Sequence, residues 1–483
     1  MSEPQTGRKP RRDDQLEAEV TGLDRKGQSL GRSGEYAVRL RGGVPGDRWR
    51  VRVRRRRGAR IEADGIELLE AGRDRVEPRC AHAGRCGGCS FQQVAYPAQL
   101  EAKRELVREA LEGAGLVGAC EVEPVLGCPE PWAYRNKMEY SFGSRRWVEA
   151  DEPEGVDASF ALGLHPPGFF SKVIDLDECP ILFPGGEDIL RSAGELAREQ
   201  GLPPWDVREH TGFLRHLVLR HGVHTDQVMV NLVTSAEDPE RTGPFVRALL
   251  ERHPEITTLV QTVNTGVAST SHGERELVLH GPGYIEEELL GLRFRISARS
   301  FFQTNTRQAE RLFELVREEA APTSSEVVHD LYSGAGTIAL VLAPKVKEVV
   351  AFEQVPEAVA DARRNAEANG AANVQLLEGD VLALLDGLLG AEPTLPRPDV
   401  CVVDPPRAGL HPRVPPRLLE LGARRLVMVS CNIHNGARDA AQLVEGGYRL
   451  TRVRPVDLFP HTPHVEVVMT LERTATAEPG ASG

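Results

Sequence analysis

Long apolar runs are missing from this 483-residue chain. None reaches the roughly 18 residues that a membrane-spanning helix requires, which excludes a helical membrane protein. No apolar stretch follows Met1 either; residues 1–14 are polar and basic, so no secretory leader is expected and a cytoplasmic protein without a membrane partner is. Eight cysteines are too few to staple a chain of this length, which excludes a disulfide scaffold and leaves metal binding or chemistry for any that cluster. No segment repeats, which excludes a solenoid. An overall positive charge is also absent: the net charge of −12 argues against a nucleic-acid binder if charge is spread evenly.

The charge is not spread evenly. Residues 1–60 carry 17 Lys or Arg against 8 Asp or Glu, with Arg54-Arg55-Arg56-Arg57 at the centre. Such a patch neutralises phosphates and releases counterions even on an acidic protein, although a basic arm can also serve solubility alone. Forty percent hydrophobic and 27% charged residues fit a globular protein. The length exceeds what one core usually serves, so more than one domain is expected.

Residues 1–14 read as a disordered basic arm. From 15 to 75, short alternating segments (Leu16 to Val20, Tyr36 to Leu40, Trp49 to Val53, Ile61 to Leu68) are punctuated by glycines, the pattern of a small β-barrel. Residues 76–290 are mixed α+β: a cysteine cluster, a helix over Tyr96 to Glu112, and strands such as Gln227 to Val233. From 291 to 473 strands alternate with helices, so the fold class is α/β, with a Rossmann-like parallel sheet covered on both faces. The small polar residues at 474–483 read as a disordered tail.

Within 291–473, the strand Val327 to Leu331 runs into Tyr332-Ser333-Gly334-Ala335-Gly336-Thr337 and then a helix. Glycines there let backbone N–H groups approach a ligand. Glu353, ending the next strand about 20 residues on, suits ribose hydroxyls. The unit binds a nucleoside, and the glycine spacing alone also satisfies a relaxed dinucleotide fingerprint. Asp330 before the glycines and Asp380 after Val374 to Leu377 add carboxylates at strand ends. Three carboxylates repel a pyrophosphate and suit a sulfonium cofactor, S-adenosyl-L-methionine.

Further on, Val400 to Val403 ends in Asp404-Pro405-Pro406-Arg407, where two prolines fix the backbone and aim the acid into the ligand crevice. The strand Arg425 to Val429 ends in Ser430-Cys431-Asn432, which sets a thiol at the same sheet edge. A lone cysteine at a strand end is commonly a small buried hydrophobe, and Cys401, Cys120 and Cys128 are read so. For Cys431 the setting suits methylation at carbon 5 of a pyrimidine. That carbon is too weakly nucleophilic to attack a sulfonium until a thiolate adds at carbon 6. A base must then remove the carbon-5 proton, and Glu466 in His464-Val465-Glu466 is the nominee. A thiol with an ordinary pKa of about 8.5 needs an electropositive setting to ionise, for which Arg407 is the candidate.

Cys80, Cys86 and Cys89 are separated by five and then two residues, with Gly87-Gly88 between the last pair. Thiolates so close together rarely stay unligated, and a fourth ligand is required; zinc fits the spacing as well as iron–sulfur does.

Five motifs in this order, Phe301-Phe302-Gln303-Thr304-Asn305, Asp330 to Gly336, Asp404 to Arg407, Ser430-Cys431-Asn432 and His464-Val465-Glu466, make the chain resemble the RNA uridine-5 methyltransferases that act on tRNA and 23S rRNA. The resemblance runs from about Gln15 to Leu471. It implies that Gln303, Tyr332, Thr337, Glu353, Asp380 and Asp404 line the S-adenosyl-L-methionine site, that Cys431 is the nucleophile and Glu466 the base. It also implies a [4Fe-4S] cluster on Cys80, Cys86, Cys89 and Cys179, the last chosen for its isolation before Pro180 as well. The N-terminal segment resembles a TRAM domain, an OB-like RNA-binding barrel. Ser333 and Thr337 stand where the family commonly has cysteine and asparagine, which bears on fine cofactor contacts. Tyr134-Arg135-Asn136-Lys137-Met138 matches a family segment too; there Tyr134 is either a stacking platform for a base or core.

The expected partner is RNA, with 23S rRNA favoured by the barrel-plus-cluster architecture and tRNA the alternative, and the expected state is a monomer. Cys431 reaches carbon 6 only if the base is flipped out, so a loop uridine is the expected target. An amino-group methyltransferase also uses an acid followed by two prolines, but follows them with an aromatic residue where this chain has Arg407. A non-catalytic metal-containing RNA-binding protein is the remaining alternative.

Overall fold

The computed structural model describes residues 8–116, 118–149, 152–390 and 395–474. Residues 1–7 of the expected arm and 475–483 of the expected tail lie outside the described residues. The chain groups into two compact units: the first runs to Leu106 and takes back Phe459–His464, and the second runs from Val107 to Leu458 and resumes at Val465.

In the first unit, β1 (Gln15–Leu23), β2 (Ser29–Ser33), β3 (Tyr36–Leu40), β4 (Arg48–Arg57) and β5 (Arg60–Glu70) close into a barrel in the order β1-β2-β3-β5-β4. Period-2 alternation builds it: Ala18, Val20, Val38, Leu40, Val51, Val53, Ile61 and Ala63 fill the interior, and β4 turns its arginines outward. The sequence expectation missed β2, whose Ser-Leu-Gly-Arg-Ser has a single large apolar residue. Residues 8–14, expected as an arm, run beside the barrel where described, with Asp13 N donating to Val53 O and Val53 N to Asp14 O. Asp47, fully buried in the turn before β4, accepts hydrogen bonds from Val44 N, Gly72 N and Trp49 Nε1 and pairs with Arg75 at 2.6 Å. Burial pushes its carboxyl up, and the Arg75 pair with the backbone donors outweighs this and holds it below the usual range.

Helix α1 (Tyr96–Gly113) begins in this unit. Its buried Gln99 accepts from His461 N at 2.9 Å and donates to Val94 O at 2.8 Å, while Ser90 N and Phe91 N donate to His461 O. These bonds seat the returning segment Phe459–His464.

The second unit carries two seven-stranded sheets. The first takes β6 (Lys137–Gly143), β7 (Ala161–Leu164), β8 (Ile174–Asp175), β9 (Leu214–Gly222), β10 (Gln227–Thr234), β11 (Ile256–Val263) and β12 (Arg275–His280) in the order β12-β11-β10-β9-β6-β7-β8. Helices α2 (Gly186–Glu199) and α3 (Pro239–Arg252) accompany it, and a hairpin of β13 (Tyr284–Leu289) and β14 (Leu292–Ser297) leads out of it.

After α4 (Thr306–Ala320) come β15 (Val327–Leu331), α5 (Thr337–Leu342), β16 (Glu348–Glu353), α6 (Pro356–Ala368), β17 (Val374–Glu378), α7 (Val381–Leu388), β18 (Val400–Val403), α8 (Val414–Leu421), β19 (Arg425–Ser430), α9 (Ile433–Glu445), β20 (Tyr448–Val456) and β21 (Glu466–Arg473). The strand order is β17-β16-β15-β18-β19-β21-β20, with β15 to β19 parallel and β21 and β20 antiparallel. Strands β15 and β18 are buried along their whole length; β18 accordingly reads as a continuous apolar run, while β15 buries His329 and Asp330 among its apolar residues. Cys401 is fully buried among them, the small hydrophobe expected. The sheet reverses order at β15 and β18, and ligands of such sheets bind outside the carboxyl ends of the strands there. No helix among the described residues is long and apolar enough to cross a membrane.

Candidate active site

The glycine turn after β15 is held from two sides. Glu353, at the end of β16, accepts from Gly334 N at 2.9 Å through one carboxylate oxygen and from Gln354 N and Val355 N through the other. Asn365 on α6 donates to Ala335 O at 3.1 Å. Tyr332 has φ +67° and Gly336 φ +82°, and a Cβ on Gly336 would stand 3.2 Å from that of Ala362. A left-handed tyrosine is uncommon enough to mark a functional turn. Its hydroxyl is pushed up to about 12, by burial first and then by the Asp380 and Asp439 charges.

Asp330 is fully buried, and among the described residues neither of its carboxylate oxygens has a hydrogen-bond partner; Ser333 Oγ, in the turn that follows, is likewise buried without one. Burial pushes the Asp330 carboxyl up to about 8, with the Asp404 charge adding to it. A dry, acceptor-rich cradle of this kind needs a cationic donor to complete it. The aminoacyl end of S-adenosyl-L-methionine supplies one, so the residues present fit that group.

The other expected cofactor residues lie on the same unit. Asp380 caps α7, accepting from Ala383 N at 3.0 Å, and Thr337 opens α5. Gln303 is placed by its own backbone: Asn136 Nδ2 donates to Gln303 O at 3.0 Å and to Thr306 Oγ1 at 2.8 Å. Tyr134 is 7% exposed and belongs to the core, so the stacking reading of that segment is set aside, and Asn136 is its working residue.

Cys431 follows the end of β19, half-buried, and its electrostatic neighbours are Glu466 at the start of β21, Asp404 beyond β18, and Arg407. The thiol is pushed up to about 11, by burial first and then by Glu466 and Asp404, while Arg407 opposes them by charge and by a hydrogen bond. The crevice is therefore more acidic than the electropositive setting expected: two carboxyls face one guanidinium. Glu466 is 5% exposed and is pushed up to about 8 by burial and then by Asp404, again opposed by Arg407. Asp404 itself rises to about 7 through burial.

Asn432, just before α9, and two side chains of α9 that sequence reasoning passed over brace this crevice. Asn432 and Asn435 donate to Arg407 O at 3.0 and 2.8 Å, and Asp439 accepts from Leu410 N at 2.7 Å. Asn432 belongs to the Ser430-Cys431-Asn432 motif, whereas only helical spacing after Cys431, at i+4 and i+8, hinted at Asn435 and Asp439.

The cysteine cluster is less complete. Cys80, Cys86 and Cys89 lie half-buried in the first unit, in a turn where Cys86 N donates to His82 O and Gly88 N to Cys86 Sγ at 3.4 Å. Cys179 is buried in the second unit, just ahead of α2. Among the described residues no group of three or more His, Cys, Asp or Glu stands in an arrangement that holds a metal ion.

A family model described as tRNA (uracil-5-)-methyltransferase matches residues 260–382 and 397–474. An uncharacterised RNA methyltransferase of Chlorobaculum tepidum is 40% identical over 470 residues, covering 96% of this chain and 97% of its own length. One from Porphyromonas gingivalis is 38% identical over 464 residues, covering 94% and 99%. Among solved structures, the Pyrococcus abyssi tRNA (uracil-54, C5)-methyltransferase in complex with S-adenosyl-L-homocysteine covers 94% of this chain and 100% of its own, at 30% identity and a TM-score of 0.72.

Proposed function

Because this chain belongs to the tRNA (uracil-5-)-methyltransferase family and is an RNA methyltransferase that uses S-adenosyl-L-methionine, we propose that it methylates uridine through a covalent bond between Cys431 and carbon 6 of the base. The observation that carries this reading is the shared crevice of Cys431, Glu466, Asp404 and Arg407 at the carboxyl edge of the parallel sheet. The Cys431 thiolate adds to carbon 6, and the electron pair moves to carbon 5 as an enolate. Carbon 5 takes the methyl group from the sulfonium, which leaves as the neutral thioether. Glu466 then removes the carbon-5 proton, and elimination restores the double bond and frees the thiolate. A carboxylate with a raised pKa is the stronger base for that proton, which is what burial gives Glu466. Gln303, Tyr332, Thr337, Glu353, Asp380 and Asp404 are assigned to the cofactor side, with Asp330 at the aminoacyl end.

RNA in which the target carries 5-fluorouridine tests the adduct, because fluorine cannot leave as a proton does. The wild-type chain should form a complex stable to denaturing electrophoresis, and Cys431→Ala should form none and lose methyl transfer. Undiminished methylation by Cys431→Ala would sink the covalent mechanism.

The barrel, with its outward arginines, is assigned as a TRAM-type RNA platform, in a monomer acting in the cytoplasm. Cys80, Cys86, Cys89 and Cys179 are assigned to a [4Fe-4S] cluster on spacing and resemblance. Iron and acid-labile sulfide in anaerobically purified protein, lost together in Cys86→Ala, is the expected result; zinc in their place would overturn the assignment. For the substrate we favour 23S rRNA. The similarity to a tRNA (uracil-54, C5)-methyltransferase along nearly the whole chain favours tRNA as the second reading. Mass-spectrometric mapping of 5-methyluridine in both RNAs, with and without the protein in its cell, decides between them.

A further inference from the structure

The loop after Asp404 is anchored at two places to α9 and to Asn432 just before it, and Arg407 is the first of them. Its carbonyl accepts from Asn432 Nδ2 at 3.0 Å and from Asn435 Nδ2 at 2.8 Å. Three residues on, Leu410 N donates to Asp439 Oδ2 at 2.7 Å, while Asp439 Oδ1 is held by Arg438 at 2.7 and 2.9 Å. Asp439 is 1% exposed, so its bond to the loop works in a dry setting. Gly409 permits the close approach: its φ is +79°, and a Cβ there would stand 2.7 Å from Asp439 Oδ2 and 2.9 Å from the Asn435 Cβ. On the other side, Gly409 N donates to Pro406 O at 2.8 Å, and Pro405-Pro406 stiffen the entry.

The anchors start one residue after Cys431, and Arg407 is the cation that faces Cys431. The groups around that thiol are Glu466 from β21, Asp404 beyond β18 and Arg407 from the loop. Only the last favours the thiolate, and a guanidinium on a mobile loop would spend its time in water instead.

We propose that Asn432, Asn435 and Asp439 are positioning residues that clamp the Arg407 loop to α9 and thereby hold the guanidinium against the Cys431 sulfur and the Glu466 carboxyl. They touch no reacting atom; they act through Arg407. This rests on the reading of Cys431 as nucleophile, which Cys431→Ala tests by itself.

The clamp is tested without RNA, by following iodoacetamide alkylation of Cys431 from pH 7 to 10, below the midpoint of a thiol pushed up to about 11, and locating the modified peptide by mass spectrometry. In Asn435→Ala, the rate throughout that range should fall about three- to tenfold, the loss expected from one hydrogen bond. Arg407→Ala should show the same change, and adding Asn435→Ala to it should change nothing more. Asp439→Asn keeps an acceptor oxygen and should retain most of the wild-type profile, whereas Asp439→Ala should lose it. Should Asp439→Ala not fold, the half-buried Asn435 still carries the test, with a thermal melt to show that the variant is intact. An unchanged rate in Asn435→Ala, or equal slowing with and without Arg407, overturns the clamp.

Discussion

Asp330, Asp404 and Glu466 are three acids in a site that must receive a cation, and each has been moved toward neutrality by burial. For Asp330 the folded pKa, about 8, lies above the ordinary value. The folded state therefore binds more protons than the unfolded one between the two values, and stability falls as pH rises through that window. Without the cofactor, melting temperature should drop from pH 5 to pH 8. Asp330→Asn should flatten the drop, raise the melting point near pH 8 and abolish S-adenosyl-L-methionine binding, as read by calorimetry. A lowered melting point at pH 8 would show that Asp330 is not a stored cost. Glu466 gives the complementary pH prediction: with its carboxyl at about 8, the fraction able to act as base grows as pH rises. Single-turnover rate should climb from pH 6 and keep rising past pH 8, because Glu466 and then the Cys431 thiol, pushed up to about 11, lose their protons in turn. Glu466→Gln should slow turnover about 100-fold or more and accumulate the covalent adduct on ordinary uridine RNA. Slow turnover without adduct would move the base to another residue.

At the level of elements, β18 was legible because it is buried throughout and its residues form an apolar run: Val400–Val403 has the bounds expected, and the glycine turn between β15 and α5 is where its spacing put it. Bracing side chains were not. Asn136, Asn365 and Asn435 look like ordinary polar residues until the partner carbonyls, up to 167 residues away for Asn136, are known. Tyr134 misled for the same reason, since an aromatic beside basic residues reads alike whether it stacks on a base or fills a core. Gln99 is another hidden brace, on a helix whose exposed face is all that the sequence advertises. Its bonds to Val94 O and to His461 predict that Gln99→Ala costs about 2–3 kcal/mol by urea denaturation, more than a surface polar residue does. A cost under half a kcal/mol would mean that Phe459–His464 is held by other contacts.

Over the whole molecule, the acidic balance of −12 coexists with a barrel that concentrates arginine on its outer face. Arg48, Arg50 and Arg54 are paired with carboxylates. Arg55, Arg57 and Arg60 line a cavity of about 410 Å³ over Leu30, Ala37 and Ile61, these three cations sharing the lining with the one carboxylate of Glu62. Replacing these three by Gln should weaken RNA binding and lower the slope of log affinity against log salt by about 2–3, measured by filter binding across salt concentrations. An unchanged slope would place the phosphates elsewhere. The barrel and the α/β sheet were foreseeable from periodicity, whereas the grouping of the chain was not. A domain boundary shows in sequence as a linker, and the six residues Phe459–His464 leave the second unit without one.

That excursion makes the two units inseparable by genetics. The polypeptide passes between them three times, the last passage delivering Glu466 directly after the segment gripped by Gln99. A fragment begun at Val107 keeps every residue of the methyl-transfer crevice, yet strips the His461 backbone of Ser90, Phe91 and Gln99. Losing the residues before Val107 would thus release the segment that leads straight into the strand carrying the base.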